Sequence, residues 1–441
     1  MSHTTCASAI TLILGLSLAS GLQAASLQET VRETVETNPD VLIANSERNT
    51  VEQQMEQARA GFFPQADITV GQGYEYSDNP ITRNSDQGSR GFHREEAEIL
   101  VRQLLFDGQG TESEFQRQRA RVNSRAYESF NTAELTALKA VEVYLDVLKE
   151  KRLVDLAQQN LNNHQETYDR IVKRGDSGVG SKADVQQALG RLALAQSNLM
   201  AEENRRDDAV ASFVNVVGHE PEGLEEPESP EDLVPATIEE LIETALDNHP
   251  AMKIAESDVI AAEQQHNAAK ALFYPRIHLE LQGSHNNNID GVEGRNNDAL
   301  AMFRGRYNFT GGKDIARRQE TVSELQQAME IRDRTRREII ESVQLSWNAY
   351  ETSKEQLKYF KTHVDASEAA LVAYRKQFNL GQRSLLDVLD QENEVFEARI
   401  NYVNGQNEVA FSTYRILAGV GKLMWSLDVP LPEEADTIQE L

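Results

Sequence analysis

The chain has 441 residues, of which 39% are hydrophobic, 6% aromatic and 26% charged, and its formal net charge is −27. The length is sufficient for two or three ordinary domains, but the low apolar and aromatic content argues against a compact fold and favours long polar helices that pack through narrow apolar seams. The strong negative charge excludes a role in nucleic-acid binding, which needs a basic face, and suits a solvated surface or a lumen that favours cations.

The N-terminus has the pattern of a secretory signal peptide, predicted to cover residues 1–25. An apolar core at 9–19 precedes small residues around a cleavage point after Ala24 or Ala25. Cys6 is the only cysteine and leaves with the signal. The mature chain then has no thiol, which excludes disulfides and thiolate metal sites.

Two halves of the chain repeat each other, which predicts a duplicated architecture. Helical patterns at 27–62 and 238–275 each carry a break before a proline and end at a second proline. Pro39 and Pro250 are 211 positions apart, as are Pro64 and Pro275. We predict a first repeat at 26–219, an acidic Pro-containing connector at 220–236, a second repeat at 237–422 and an acidic tail at 423–441.

Each repeat contains a segment whose apolar residues alternate with polar ones, predicted as β-hairpins at 66–106 and 276–309. Strands of about ten residues with one apolar face are typical of a transmembrane barrel, although a soluble half-buried sheet has the same period. Four strands cannot close a barrel, and open edges are not viable in lipid. If these strands span a membrane, several chains share one barrel, and three chains supply twelve strands.

Long helical patterns follow the hairpins at 110–176 and 313–379, and each leads into a turn that opens another helix. The two turns share the pattern G-x-x-S-x-x-D-V at an offset of 203, beginning at Gly178 and Gly381. Gly ends one helix, Ser caps the next, and Asp stands in the new first turn. The pattern predicts two long helical hairpins with tips near 178 and 381.

The sequence contains no catalytic constellation, so we predict neither an enzyme nor a cofactor. The histidines are scattered without metal-ligand spacing, and the acidic loop at 286–298 departs from a calcium-binding spacing, which favours a solvated loop. Asp387 and Asp390 lie three apart on one helix and share a face. In a symmetric oligomer they form carboxylate rings that filter by charge. Capping alone explains Asp184 and Asp387 but leaves Asp390 unexplained.

The chain resembles the TolC family of outer-membrane channel proteins over its whole mature length. The resemblance rests on Asn38-Pro39, the stretch A-R-A-G-F-F-P-Q at 58–65, the hairpin ends at Phe106 and Phe309, and F-N-L-G-Q-R-S-L-L-D-V-L-D at 378–390. It implies a mainly α fold with β-strands: a homotrimer with a shared twelve-stranded β-barrel, continued by a periplasmic α-helical tunnel whose entrance closes by coiling of the inner helices.

The resemblance also implies roles for individual residues. Asp387 and Asp390 match the entrance aspartates, and the closing network is matched by Asp184, Phe378 and Arg383. Phe378 stands where a tyrosine often bonds the aspartate matched by Asp184, so closure here must rely on Arg383 or on packing. The docking points for a periplasmic adaptor are matched by Gly178, Val179, Leu380 and Gly381.

Within the family, the 378–394 stretch and the loop at 288–297 look most like the type I secretion branch. That branch implies a membrane-fusion adaptor, an inner-membrane ABC transporter and a large adhesin or repeat-toxin cargo, with the channel in the lipid of the outer membrane and extending into the periplasm. A small-molecule or drug efflux channel served by a proton-driven pump is the close alternative. A pore-less secreted coiled-coil scaffold is the remote one.

Overall fold

A computed structural model describes residues 26–84, 90–177 and 181–438 of the chain. The predicted signal peptide and two residues of the first tip, Gly178 and Val179, lie outside these ranges. Over the described residues, every helix is either too short or too polar to cross a lipid bilayer.

Helices and strands follow one another in nearly the same order in both halves. The first half contains α1 (Leu27–Thr37), α2 (Pro39–Arg59), β1 (Gln65–Ser77), α3 (Pro80–Asn84), β2 (Arg90–Phe106), α4 (Gly110–Asp176) and α5 (Lys182–Val217). The second half contains α6 (Ile238–Asn248), α7 (Pro250–Ala271), β3 (Arg276–Asn287), β4 (Arg295–Arg306), α8 (Lys313–Asn379) and α9 (Leu385–Gly419), followed by α10 (Leu423–Ser426). The predicted fold class, mainly α with a β-element and an internal repeat, is confirmed.

The breaks before the prolines are helix caps. The Asn38 side chain accepts a hydrogen bond from Asp40 N at 3.0 Å, and His249 Nδ1 accepts one from Ala251 N at 3.1 Å. Pro39 and Pro250 then occupy the first helical position, where the missing N–H is harmless. Burial lowers the pKa of His249, which keeps Nδ1 free to accept.

The four strands form one antiparallel sheet in the order β1-β2-β3-β4. Strand partners share a face, so Ile68 lies beside Ile99, and Leu279 beside Phe303. Ile68 is 73% exposed and Phe303 is 72% exposed, so one chain alone leaves this apolar face uncovered. Both β1 and β4 are edge strands.

One predicted boundary differs from the structure. The sequence predicts that the second β-hairpin reaches residue 309. In the structure β4 ends at Arg306, and Tyr307 and Phe309 lie beyond it. The alternation of apolar residues continues past the strand, whereas Gly311 and Gly312 take φ values of 62° and 100° and turn the chain into α8. The strand ends where its partner begins, because Arg306 pairs with Arg276 and the preceding Pro275 has no N–H to extend the ladder.

The largest core lies around the middle of α4 and gathers residues from α1, α5, α9 and α10, including Val31, Tyr144, Phe213, Tyr414 and Met424. The connector between the repeats is tied to this core. Tyr144 Oη donates to Glu225 O at 2.7 Å, and Tyr414 Oη donates to Glu228 O at 3.2 Å.

Small residues allow α9 to approach α8 closely. A Cβ atom added at Gly405 would stand 2.8 Å from a ring carbon of Phe360, too close for an undisturbed contact. Ala398 and Ser412, one heptad to either side, are also buried. The seven-residue spacing of small side chains therefore marks the contact between α8 and α9, which form the second helical hairpin.

Glu134 fastens the C-terminal segment to α4. Its side chain is buried and accepts hydrogen bonds from Leu423 N at 3.1 Å and Met424 N at 3.2 Å. Burial raises the pKa of Glu134 to about 7, and the two backbone donors partly oppose this shift.

We predict that Glu134→Ala releases the C-terminal segment. The substitution leaves two buried N–H groups unpaired, at a cost of about 1–3 kcal/mol for each group. Limited trypsin digestion, followed by mass spectrometry, is expected to show faster cleavage after Lys422 than in the unaltered protein. Glu142→Ala is the control, because Glu142 lies on the same helix but is partly exposed and pairs with Lys139 at the surface. Equal cleavage rates in the two variants would contradict the predicted role of Glu134.

Candidate functional site at the hairpin tips

The second tip is built by local hydrogen bonds that its sequence dictates. Gly381 N donates to Phe378 O at 3.0 Å, and Gln382 N donates to Gln377 O at 2.9 Å. Gly381 has a φ of 75°, which closes α8 in the left-handed conformation. Leu380, beside it, is 72% exposed. The tip therefore presents an apolar side chain on a rigid turn.

The first tip is described only from Ser181 onward. The Ser181 side chain caps α5 by accepting from Ala183 N at 3.1 Å. Asp184 follows in the first turn and is half-buried. Among the described residues of the same chain, Asp184 has no hydrogen-bond or ion-pair partner.

Asp387 belongs to the cap of α9. Its carboxylate accepts from Ser384 Oγ at 2.7 Å and from Ser384 N at 3.2 Å, while Asp387 N donates back to Ser384 Oγ at 3.3 Å. The hydrogen bond from the Ser384 side chain lowers the pKa of Asp387, assisted by the backbone N–H and the charge of Arg383. Asp387 is therefore a fixed, ionised carboxylate at the entry to the helix.

Asp390 has a different partner from Asp387. It forms an ion pair with Arg191, which lies on α5 of the first hairpin. Asp387, Asp390 and Arg383 nevertheless line one groove along the second hairpin, together with Tyr374 and Glu394. The structure thus brings both predicted gate aspartates to one surface, and links one of them to the other hairpin.

Arg383 stays on its own hairpin in the single chain. Its guanidinium carbon lies 3.5 Å from the centre of the Tyr374 ring, and its Nε donates to Gln377 Oε1 at 2.8 Å. The nearest Asp387 oxygen is 4.0 Å from Arg383 Nη1. The guanidinium thus makes a cation–aromatic contact within its own hairpin.

Phe378 connects the two hairpins through packing. Its ring belongs to a small apolar cluster centred on Ile171, Ala188, Leu385 and Leu389. The guanidinium carbon of Arg174, near the end of α4, lies 5.2 Å from the centre of the Phe378 ring. A cation–aromatic contact and apolar packing therefore join the hairpins at this position.

A second polar contact between the hairpins lies deeper in the bundle. Glu392 of α9 is 5% exposed, and its Oε1 accepts from Arg375 Nη2 of α8 at 2.8 Å. Its Oε2 lies 3.6 Å from Nδ1 of His164 on α4, a residue that is 3% exposed. Among the described residues, neither of these two atoms has a hydrogen-bond partner.

Sequence reasoning missed Arg191, Arg174, His164 and Glu392. The available signal was weak: titratable side chains of opposite sign lie on the two hairpins within roughly one to four turns of their tips. Among the described residues, no group of three or more His, Asp or Glu side chains is arranged to hold a metal ion.

A family model described as outer membrane efflux protein matches residues 30–219 and 241–421 of the chain. The chain belongs to the outer membrane efflux protein family. Its homologues are channel proteins rather than enzymes, and this efflux-family chain is accordingly a protein of the outer membrane.

Individual relatives of this efflux-family chain are distant but aligned over most of their length. The outer membrane efflux protein BepC of Brucella suis is 25% identical, covering 83% of this chain and 78% of BepC. The alkaline protease secretion protein AprF of Pseudomonas aeruginosa is 23% identical, covering 88% of this chain and 82% of AprF. A membrane protein from Pseudomonas aeruginosa of known structure superposes with a TM-score of 0.79 at 17% identity, covering 89% of this chain and 90% of that one. This last likeness shows a shared fold.

We predict that acidic pH weakens the contact between the hairpins through His164. Burial lowers the pKa of His164, as do the charges of Arg191 and Arg375, and these effects outweigh the attraction of Glu392. The unfolded chain therefore binds more protons as the pH falls through about 6.5, and the folded state loses stability there. Thermal unfolding in detergent is expected to show a larger drop between pH 7.5 and 5.5 in the unaltered protein than in His164→Gln.

His363→Gln is the matched control for this measurement, because His363 lies on α8 near the same level but is exposed beside Glu394. It is expected to keep the pH dependence of the unaltered protein. If His164→Gln shows that same dependence, His164 does not couple pH to the hairpin contact.

Proposed function

We propose that the protein is a trimeric outer-membrane channel that forms the exit duct of an export system. The observation that carries the proposal is the four-stranded sheet with two open edges and an uncovered apolar face. Unpaired backbone groups are not tolerated in lipid, so β4 of one copy must pair with β1 of the next. Three copies supply twelve strands, in line with the TolC family that the sequence resembles.

The hairpin tips form the gate at the periplasmic end of this channel. Three-fold symmetry turns Asp387 and Asp390 into rings of carboxylates that attract cations. Closure is held within each chain by Arg191 with Asp390 and by Arg174 with Phe378. Asp184, which has no partner among the described residues of its own chain, and Arg383, which makes its contacts within its own hairpin, complete the closing network across neighbouring copies.

The tips around Gly178, Val179, Leu380 and Gly381 dock a periplasmic adaptor. The exposed Leu380 on its rigid turn supports this role.

An inner-membrane ABC transporter and a large protein cargo complete a type I secretion system. The similarity to AprF, named for alkaline protease secretion, supports this assignment. The similarity to BepC, named for efflux, supports small-molecule efflux as the second candidate. A deletion strain that loses one protein from its medium favours secretion, and one that gains only drug sensitivity favours efflux.

Single-channel recording in a planar bilayer tests the channel and its filter together. The purified protein is expected to give a stable cation-selective conductance. Asp387→Asn combined with Asp390→Asn is expected to bring the cation-to-anion permeability ratio toward one, because both carboxylate rings lose their charge. The reversal potential in a salt gradient reports this ratio and does not depend on how often the channel opens.

Asp365→Asn serves as the control, because this exposed aspartate of α8 pairs with Lys361 outside the groove. It is expected to leave the reversal potential unchanged. Absence of conductance from folded protein would refute the channel, and unchanged selectivity in the double variant would refute the carboxylate filter.

A further inference from the structure

Basic side chains gather on the polar face of the sheet, at the end that joins the helices. The register places them together on one face, because directly paired residues share a side of the sheet. Leu104 pairs with His278, which pairs with Arg304, and Gln65 pairs with Arg102. The set consists of Arg102, Arg276, His278, Arg304 and Arg306, which we call the arginine belt.

Arg276 and Arg306 stand directly opposite each other on β3 and β4. Like charges in this arrangement destabilise a sheet. Arg102 and Arg304 are neutralised by Asp67 and Glu280 respectively, but among the described residues of the chain neither Arg276 nor Arg306 has a carboxylate partner. In a chain with a net charge of −27, two facing arginines without a counter-charge need a physical reason.

A cavity of about 320 Å³ opens beside these two arginines. All five belt residues line it, and Glu280 and Asp314 are the acidic side chains in its wall. Arg276, Arg304 and Arg306 are exposed, so their donors reach the open side of the cavity. Four guanidinium groups line this one cavity, and the planar fork of a guanidinium binds carboxylates in a bidentate manner.

The opposite face of the same strands is apolar, with Ile277 and Phe303 pointing away from the belt. In the channel proposed above, the apolar face meets lipid and the polar face lines the lumen. The belt is therefore directed toward material in transit and away from lipid headgroups. It extends over three strands, about 10 Å at the usual strand spacing, which is wide enough for more than one carboxylate.

We infer that the arginine belt is a binding site for polycarboxylates, and that its ligands are acidic segments of polypeptide passing through the lumen. This inference rests on the proposed function, since it needs a lumen at the polar face. Carboxylate side chains replace the missing counter-charge of Arg276 and Arg306, and three copies of the belt multiply the contacts along one chain. The arginine belt thus provides a binding site for acidic cargo where the helical tunnel meets the strands.

Fluorescence anisotropy with a labelled oligomer of poly-L-glutamate measures binding to the detergent-solubilised protein without any need for conductance. Arg276→Gln combined with Arg306→Gln is expected to weaken binding at least tenfold, because two charge-assisted contacts are lost in each copy. The double variant is also expected to unfold at an equal or higher temperature, because it removes a like-charge pair. Equal affinity of the double variant and the unaltered protein would overturn the inference.

Arg295→Gln is the control, because Arg295 lies on β4 at the opposite end of the strand and on the face away from the belt, and its replacement removes one of the two charges that the double variant loses. It is expected to retain the affinity of the unaltered protein. Binding lost equally in this control would overturn the inference by indicating a general effect of charge.

Current block by unlabelled poly-L-glutamate in a bilayer separates this inference from the channel itself. The unaltered channel is expected to be blocked, and the Arg276/Arg306 double variant to conduct with little block. A channel that conducts but is blocked equally in both forms would overturn the belt and leave the proposed channel intact. Binding without any conductance would refute the channel, and with it the assignment of the ligand to lumenal cargo.

Discussion

A few charged contacts and one small apolar cluster, rather than a continuous apolar seam, join the first and second helical hairpins near their tips. The ion pair between Arg191 and Asp390 is partly exposed, and such pairs contribute about 0–1 kcal/mol. The apolar cluster around Phe378 is small beside the core at the middle of α4. The helices are therefore packed extensively around the middle of α4, whereas few contacts join the two helical hairpins at their tips. That gradient allows the tips to separate while the sheet and the central core keep their packing, which is what a gate at this end requires.

The sequence duplication explains why the two halves have the same elements, and residues that differ between the repeats explain the contacts between the hairpins. Each half supplies a strand pair and a helical hairpin with a 67-residue helix, so the two hairpins have matched lengths and end together. Their charges differ. At the repeat offset of 203, Arg191 corresponds to Glu394 and Arg174 to Gln377. At these two positions the first hairpin carries an arginine and the second does not, so Arg191 faces Asp390 and Arg174 faces Phe378 across the contact between hairpins.

The sequence predicts those features whose causes are local. Both long helices begin and end at the predicted residues, because glycines, caps and prolines act within a few positions. The contacts that join the hairpins could not be predicted in the same way. Arg191 and Asp390 are 199 positions apart, and Glu134 and Leu423 are 289 apart, so no periodic pattern connects them. The predicted end of β4 was wrong for a related reason: the alternation of side chains continues to Phe309, whereas the strand ladder stops at the pair of Arg306 with Arg276, a residue 30 positions away.

We propose that Arg191 and Asp390 act as one link that favours the closed state of the gate. A double-mutant cycle on the open probability of single channels tests it most directly, with Arg191→Gln, Asp390→Asn and the combination of the two. If the residues act through each other, each single change raises the open probability, by about two- to fivefold for an exposed pair, and the combination raises it no further than the larger single effect. Two effects that simply multiply in the combined variant would contradict the link.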